Sequence, residues 1–256
     1  MNNSFAFIVQ ARSQSTRLPN KILLPFYKAE TILDIQLKNL QQIFPAATLI
    51  LATSTNKADD IIENKYGSQK GITVFRGDEQ NVLKRFVDAA NKHKVEHIVR
   101  ICSDNPFLSM QYIRTLMERY FISKPDYLSY GFSNGLPAIK SHTGLFAEAV
   151  NLNTLKKVQQ LTSDPLYCEH VTNYIYSHPE MFRVEFIAAP AFINELVNSL
   201  RLTIDTNHDF ENLQKLYLSV LSKHGDNYSV EQLIEEIKNN IALMAFMKEQ
   251  IRQHAK

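Results

Sequence analysis

Two periodicities divide the chain: short apolar runs rich in β-branched residues, and longer stripes at helical spacing. Phe5 to Val9 is an unbroken apolar run of the length of a buried first strand. Leu33, Leu37, Leu40 and Phe44 then recur at helical spacing and predict a helix over 31–44. Thr48 to Thr53 predicts a second strand. Thr55 or Asn56 can cap a helix from Lys57 to Tyr66, with Asp59 and Asp60 in its favourable first turn. Gly71 precedes a third strand, Ile72 to Arg76. Val82, Leu83, Phe86, Val87 and Ala90 predict a helix over 80–93. A fourth strand, His97 to Cys102, runs straight into Ser103-Asp104-Asn105-Pro106. Four strand–helix units in about 100 residues predict a mostly parallel sheet with helices on both faces.

The second half alternates less regularly. A helix is expected from Met110 to Phe121, a strand from Tyr127 to Phe132, and a polar loop over 133–143. Gly144 to Val150 predicts a strand and 151–160 a helix. Asp164 followed by Pro165 predicts a helix start, with the helix running to about Ser177. Phe182 to Ala188 and Arg201 to Ile204 read as strands, and Phe210, Leu213, Leu216 and Tyr217 predict a helix over 208–222. Ser229 and Gln232 form a capping-box pattern for a final helix from Val230 to about His254. Its apolar stripe fits either packing on its own domain or helix exchange in a homodimer. No repeat, low-complexity tract or Gly/Ser linker interrupts the chain. The expected organisation is one α/β domain over 1–226, with halves of about 1–122 and 123–226, and a helical tail over 227–256.

Composition narrows the function classes. A net charge of +2 lacks the concentrated basic excess of a nucleic-acid binder. No apolar run approaches the roughly 18 residues of a membrane span. The start, Met-Asn-Asn-Ser, lacks the charged opening of a secretory signal. Cys102 and Cys168 lie far apart without a Cys-x-x-Cys spacing, so neither a disulfide framework nor a thiolate zinc site is expected. A cytoplasmic protein is the expectation.

The chemistry concentrates in the loop after the first strand, where Arg12, Arg17 and Lys21 are interleaved with Ser13, Ser15 and Thr16. Open α/β sheets bind ligands beyond the carboxyl ends of their strands. Arginine pairs bidentately with phosphate oxygens and lysine acts as a point charge, so the loop suits a polyphosphate; a solvated basic turn fits the charges too. Asp104 and Asp205 each follow a predicted strand. Two carboxylates facing one crevice could hold Mg2+ together with phosphate oxygens, although either aspartate could equally cap a helix.

Ala11-Arg12, Ser15-Thr16-Arg17-Leu18-Pro19 and Lys21 together resemble the nucleotide-binding signature of the acylneuraminate/Kdo-type cytidylyltransferases, in particular the spore-coat polysaccharide biosynthesis protein F branch. Arg100 with Ser103-Asp104-Asn105-Pro106 resembles the turn that carries one metal ligand in that family. Arg201-Leu202-Thr203-Ile204-Asp205-Thr206 with Asp209 resembles the segment that carries the second. The resemblance spans roughly 5–220 and implies a Rossmann-like, GT-A-like nucleotidyltransferase fold. By the same resemblance, Arg12, Arg17 and Lys21 are catalytic. Gln10, Ala11, Ser15, Thr16, Ala52, Thr53, Arg76, Gly77, Asp78 and Arg100 bind nucleotide, the segment through Asn81, Val82, Leu83 and Arg85 lining the nucleoside pocket. Asp104 and Asp205 hold Mg2+ or Mn2+, and Glu148, Glu169 and His170 face the acceptor. The chain departs from the family pattern at Gln14, Asn20 and Ser103, where glycine is usual, and at Phe146, where an acidic residue is usual.

The activity implied is CTP-dependent formation of a CMP-linked sugar or sugar acid, with release of pyrophosphate, for surface polysaccharide or glycan biosynthesis by a homodimer. Two other functions fit less of the pattern. A GT-A-like glycosyltransferase would ordinarily show Asp-x-Asp where this chain has Ser103-Asp104-Asn105. A catalytically silent nucleotide-binding protein is compatible with Gln14 and Phe146.

Overall fold

Side chains on successive strand residues point to opposite faces, so a strand apolar on both faces must be covered on both. The first strand shows this: Phe7 and Val9 enter one core and Ala6 and Ile8 the other. The computed structural model describes residues 5–254. Its strands are β1 (Phe5–Gln10), β2 (Pro25–Tyr27), β3 (Glu30–Thr31), β4 (Thr48–Ser54), β5 (Thr73–Gly77), β6 (His97–Cys102), β7 (Tyr127–Gly131), β8 (Glu148–Asn151) and β9 (Val184–Ala188). Seven of them form one sheet in the order β5-β4-β1-β6-β8-β7-β9. All neighbours are parallel except at β8, which runs antiparallel to both β6 and β7. The sheet is therefore the mixed, mostly parallel one expected.

The helices are α1 (Ile32–Ile43), α2 (Asp60–Tyr66), α3 (Val82–Lys92), α4 (Met110–Ser123), α5 (Leu152–Leu161), α6 (Pro165–Glu169), α7 (Asn173–Ser177), α8 (Ala191–Asn194), α9 (Asn207–His224), α10 (Val230–Lys238) and α11 (Ile241–Gln253). One face of the sheet packs on α1, α4 and α9–α11, through residues such as Leu33, Ile113, Leu213, Leu233 and Met247. The other face packs on α3, α5 and α7, through Leu83, Phe86, Leu155 and Ile175. Helix starts follow local chemistry: capping boxes pair Thr31 with Asp34, Thr206 with Asp209 and Ser229 with Gln232.

Four expected elements differ. Arg201–Ile204 belongs to no strand; Leu202 N–H donates to His142 O at 2.8 Å and Ile204 N–H to Asp104 O at 2.9 Å, single bonds that stitch two loops. The strand expected over 144–150 begins only at Glu148, because the preceding segment crosses Leu202. There Gly144 has φ +62°, and a Cβ would sit 2.9 Å from the Leu202 backbone. The helix expected from Asp164 to Ser177 is broken into α6 and α7. The tail helix is also two, since Asn240 ends the run and its side chain accepts from Leu243 N–H at 3.0 Å to cap the second. That tail packs on its own chain: Leu233, Ile237, Leu243 and Met247 join the core of the first face.

Candidate active site

β1 and β6 end side by side, Gln10 opposite Cys102, so the loops that follow them meet above the carboxyl edge of the sheet. The Ser103 hydroxyl ties them together by donating to Gln10 O at 2.6 Å. Gln36 of α1, 1% exposed, donates to Cys102 O and Asn105 O at 3.1 and 2.8 Å and fixes the turn that carries Asp104. The loop after β1 folds back on itself through Asn20 N–H to Ser13 O at 2.7 Å. This turn requires a left-handed backbone, and Asn20 adopts it at φ +57°.

A buried carboxylate anchors the same loop from below. Asp59, 2% exposed, accepts from the N–H and Oγ of Ser13, both at 2.7 Å, and from the N–H and Oγ of Ser54 at 3.2 and 2.5 Å. Burial opposes its charge, but these donors outweigh burial and hold its pKa below the ordinary value of 3.8. Nothing in the sequence distinguished Asp59 from a helix-start acid.

The three loop cations all turn to one crevice. Lys21 Nζ lies 3.0 Å from Asp104 Oδ2, 3.4 Å from Asp205 Oδ1 and 2.5 Å from Ile204 O. Burial disfavours this ammonium, yet the two carboxylates more than compensate, and its pKa is raised above 10.5. Arg17 reaches Asp205 Oδ1 at 3.1 Å, and Arg12 meets Glu169 at 3.7 Å across the mouth. Neither aspartate caps a helix; Ser109 and Thr206 do that. Asp205 is further held by Arg201, which also makes two bonds of 2.8 Å to Asp209 and donates to His142 Nδ1 at 2.7 Å.

The crevice opens into a cavity of about 850 Å3, in the range of small-molecule sites. Gln10, Arg12, Ser15, Thr16, Arg17, Lys21, Arg100, Asp104, Asp205, Glu169 and His170 all line it, together with Phe146, which stacks on Tyr130 at 4.5 Å between ring centres. Glu148 lies beneath the cavity, 2% exposed, with Arg100 on one oxygen and Tyr127 and Thr172 on the other at 2.6 and 2.7 Å. It therefore positions Arg100, whose other contact is Gln10 Oε1 at 3.1 Å, and leaves the cavity wall to Glu169 and His170.

A second cavity of about 370 Å3 flanks the other side of the loop, sharing Arg12, Ser15 and Thr16 and lined further by Gln14, Ser54, Asn56, Asp59, Glu79 and Arg85. Ala11, Ala52, Thr53, Arg76, Gly77 and Asp78 line neither cavity. Ala11, Ala52 and Thr53 are wholly buried. Arg76 is tied to Ser54 O and Asn56 O, both at 2.9 Å, and to Asp60 at 2.7 Å. Asp78 caps the following turn through Gln80 N–H and Asn81 N–H.

Among the described residues, no three His, Cys, Asp or Glu side chains cluster as a metal site. The position that Lys21 Nζ takes among Asp104, Asp205 and Ile204 O is nonetheless one that favours a cation. Two carboxylates suit Mg2+ when phosphate oxygens and water complete its shell.

A family model described as cytidylyltransferase matches residues 6–250. The chain is 34% identical over 245 residues to the spore coat polysaccharide biosynthesis protein SpsF of Bacillus subtilis strain 168, covering 93% of this chain and 95% of that protein. A solved cytidylyltransferase from Leptospira borgpetersenii superposes with a TM-score of 0.79 at 29% identity, over 94% of this chain and 96% of that one. A solved CMP:2-keto-3-deoxy-manno-octonic acid synthetase complexed with CTP shares the fold, with a TM-score of 0.58 at 14% identity over 84% of this chain and 99% of that one.

Proposed function

Because the chain belongs to the cytidylyltransferase family, we propose that it transfers CMP from CTP to a hydroxyl of a small acidic sugar and releases pyrophosphate, in surface polysaccharide or glycan biosynthesis. The observation that carries this reading is the seat of Lys21 between Asp104 and Asp205, with Arg17 on the second carboxylate. Cations for a triphosphate and carboxylates for its counter-ion meet at one point.

In the proposed reaction the acceptor oxygen attacks the α-phosphorus in line. The bond from that phosphorus to the β-phosphate oxygen breaks, pyrophosphate leaves with the electron pair, and the hydroxyl proton passes to solvent. The protein mainly supplies position and charge neutralisation. Arg12, Arg17 and Lys21 exchange their carboxylate partners for phosphate oxygens. Arg12 and Arg17 do so readily, being about half exposed at 51% and 47%. Asp104 and Asp205 would hold Mg2+ or Mn2+, which when bound draws charge from the phosphate oxygens. Glu169 and His170 face the acceptor, and Phe146 offers it an aromatic wall. A homodimer and a cytoplasmic location belong to the same reading; Cys102 and Cys168 form no disulfide with each other, which suits a reducing compartment.

Pyrophosphate release by the purified chain with CTP, Mg2+ and a panel of acidic sugars tests the proposal. Acceptor-dependent release supports it. Consumption of a sugar nucleotide instead identifies a glycosyltransferase, and CTP binding without turnover across the panel identifies a silent binder.

A further inference from the structure

The proposed reaction makes no use of one buried bond, the one from Arg201 to His142. Arg201 is completely buried, and its guanidinium has two edges that can grip a partner. The inner edge, Nε and Nη2, takes both oxygens of Asp209 at 2.8 Å each. Asp209 is held in place, because its Oδ2 also accepts from the N–H groups of Asp205 and Thr206 at 3.0 and 2.9 Å. The outer edge, Nη1 and Nη2, is divided. Nη2 donates to Asp205 Oδ2 at 3.2 Å, while Nη1 donates to His142 Nδ1 at 2.7 Å. Arginine has donors and no acceptor, so the ring nitrogen it meets is the bare one, and the His142 proton lies on Nε2. His142 is itself fixed: it is 4% exposed on the wall of the larger cavity, and its backbone O accepts from Leu202 N–H at 2.8 Å.

The division matters because a guanidinium edge readily takes a carboxylate by both oxygens. Asp205 lies beside the outer edge, and a two-pronged grip there would turn both of its oxygens toward Arg201. As built, Oδ2 faces Arg201, and Oδ1 faces the crevice, where Arg17 and Lys21 reach it at 3.1 and 3.4 Å. We propose that His142 is a positioning residue: by engaging Nη1 it limits Arg201 to one oxygen of Asp205 and keeps the other turned to the crevice as a metal ligand. This rests on the CTP reading above and deepens it. Without the imidazole, Nη1 is a buried charged donor in need of an acceptor, a strongly unfavourable state, and Asp205 Oδ1 is the atom it would draw away from the crevice. The same bond ties the loop that carries Phe146 to the carboxylate across the cavity from it.

The test is calorimetric binding of metal-free CTP (with EDTA) and of the preformed Mn2+–CTP complex to wild type, His142→Leu and His142→Asn. Wild type is expected to bind the Mn2+ complex more tightly than metal-free CTP. His142→Leu is expected to lose roughly 10- to 100-fold in affinity for the Mn2+ complex, the usual effect of removing a group that orients a metal ligand, and to bind metal-free CTP within about threefold of wild type. His142→Asn offers an amide oxygen at the same distance along the side chain and is expected to keep the Mn2+ advantage within about threefold. If His142→Leu keeps that advantage, or loses both forms of CTP equally, the proposal is overturned while the CTP reading stands. A wild type that binds CTP with no Mn2+ advantage has the same consequence, and a wild type that binds neither form ends both. Should the variants not fold, long-range 1H–15N spectra of the 15N-histidine-labelled wild type decide: a neutral His142 with a bare Nδ1 supports the proposal, and a proton on Nδ1 overturns it.

Discussion

Replacing Asp59 with asparagine keeps the outline of the side chain and removes its charge. The carboxylate now takes two donors from Ser13 on one oxygen and two from Ser54 on the other. An amide offers one oxygen, and its NH2 must face the other pair, so one buried backbone N–H loses its acceptor. Stranding that donor costs about 1–3 kcal/mol, and the remaining bonds lose their charge assistance, for a total of roughly 2–4 kcal/mol. In a chain of this size each kcal/mol moves the melting midpoint by about 2–4 °C, so a fall of roughly 5–15 °C is expected by calorimetry. A second effect is kinetic, because Ser13 sits between Arg12 and the Ser15-Thr16-Arg17 run. Releasing it lets the Arg12 and Arg17 side chains drift, and on the proposed function KM for CTP should rise by about tenfold or more. An Asp59→Asn chain that melts within about 1 °C of wild type and keeps its KM would refute the claim that this clasp sets the loop.

Asp104→Asn should lower turnover by roughly 10²–10³ with little change in melting, because Lys21 keeps Asp205 and the Ile204 carbonyl; steady-state pyrophosphate release and calorimetry check the two halves of that statement. Glu148→Ala strands the buried Arg100 guanidinium and should destabilise by about 3–5 kcal/mol in urea titration, with Glu148→Gln milder because it keeps an acceptor. Acid should unfold the chain through Asp59, Asp126 and Asp209. Burial opposes the charge of each, and hydrogen bonds overcome it, holding each pKa below 3.8. Unfolded, these groups take up protons at higher pH than when folded. Their contribution is therefore complete well above pH 3.8 and is lost as pH falls through the lower folded values. A pH series of urea midpoints should show this loss, reduced in slope for Asp59→Asn.

The cation-bearing loop and the strand ends were legible because their chemistry is local: cations, hydroxyls and a left-handed asparagine lie within one short stretch. Long-range relations were not. The direction of β8 is invisible to an apolar pattern, since reversing a strand leaves its periodicity unchanged. Arg201–Ile204 alternates as a strand does, but its backbone bonds go to loops. Residues 230–254 carry one continuous apolar stripe, and only the capping role of Asn240 reveals the break. The Arg76 and Arg85 side chains are equally basic in sequence; which one borders a cavity depends on Asp60 lying beside the first. Glu148 looked like a cavity residue, and its burial against Tyr127 and Thr172 comes from contacts 21 and 24 residues away in the chain.

The reversed strand has a consequence for how such a chain can diversify. Because β8 runs against its neighbours, residues 132–147 enter the sheet at the edge where the crevice of Lys21, Asp104 and Asp205 lies, after leaving β7 at that same edge. The second half of this segment is well anchored: His142 O accepts from Leu202 N–H at 2.8 Å, Gly144 presses on Leu202, and Leu145 O accepts from Ser109 N–H at 3.0 Å. The exposed turn of Ser133, Asn134 and Gly135 can drift in length and composition while the cation loop, clamped by Asp59, and the Asp104 turn, clamped by Gln36, stay put. Descendants of one ancestral catalyst could thus exchange the molecule they activate and inherit the way they activate it.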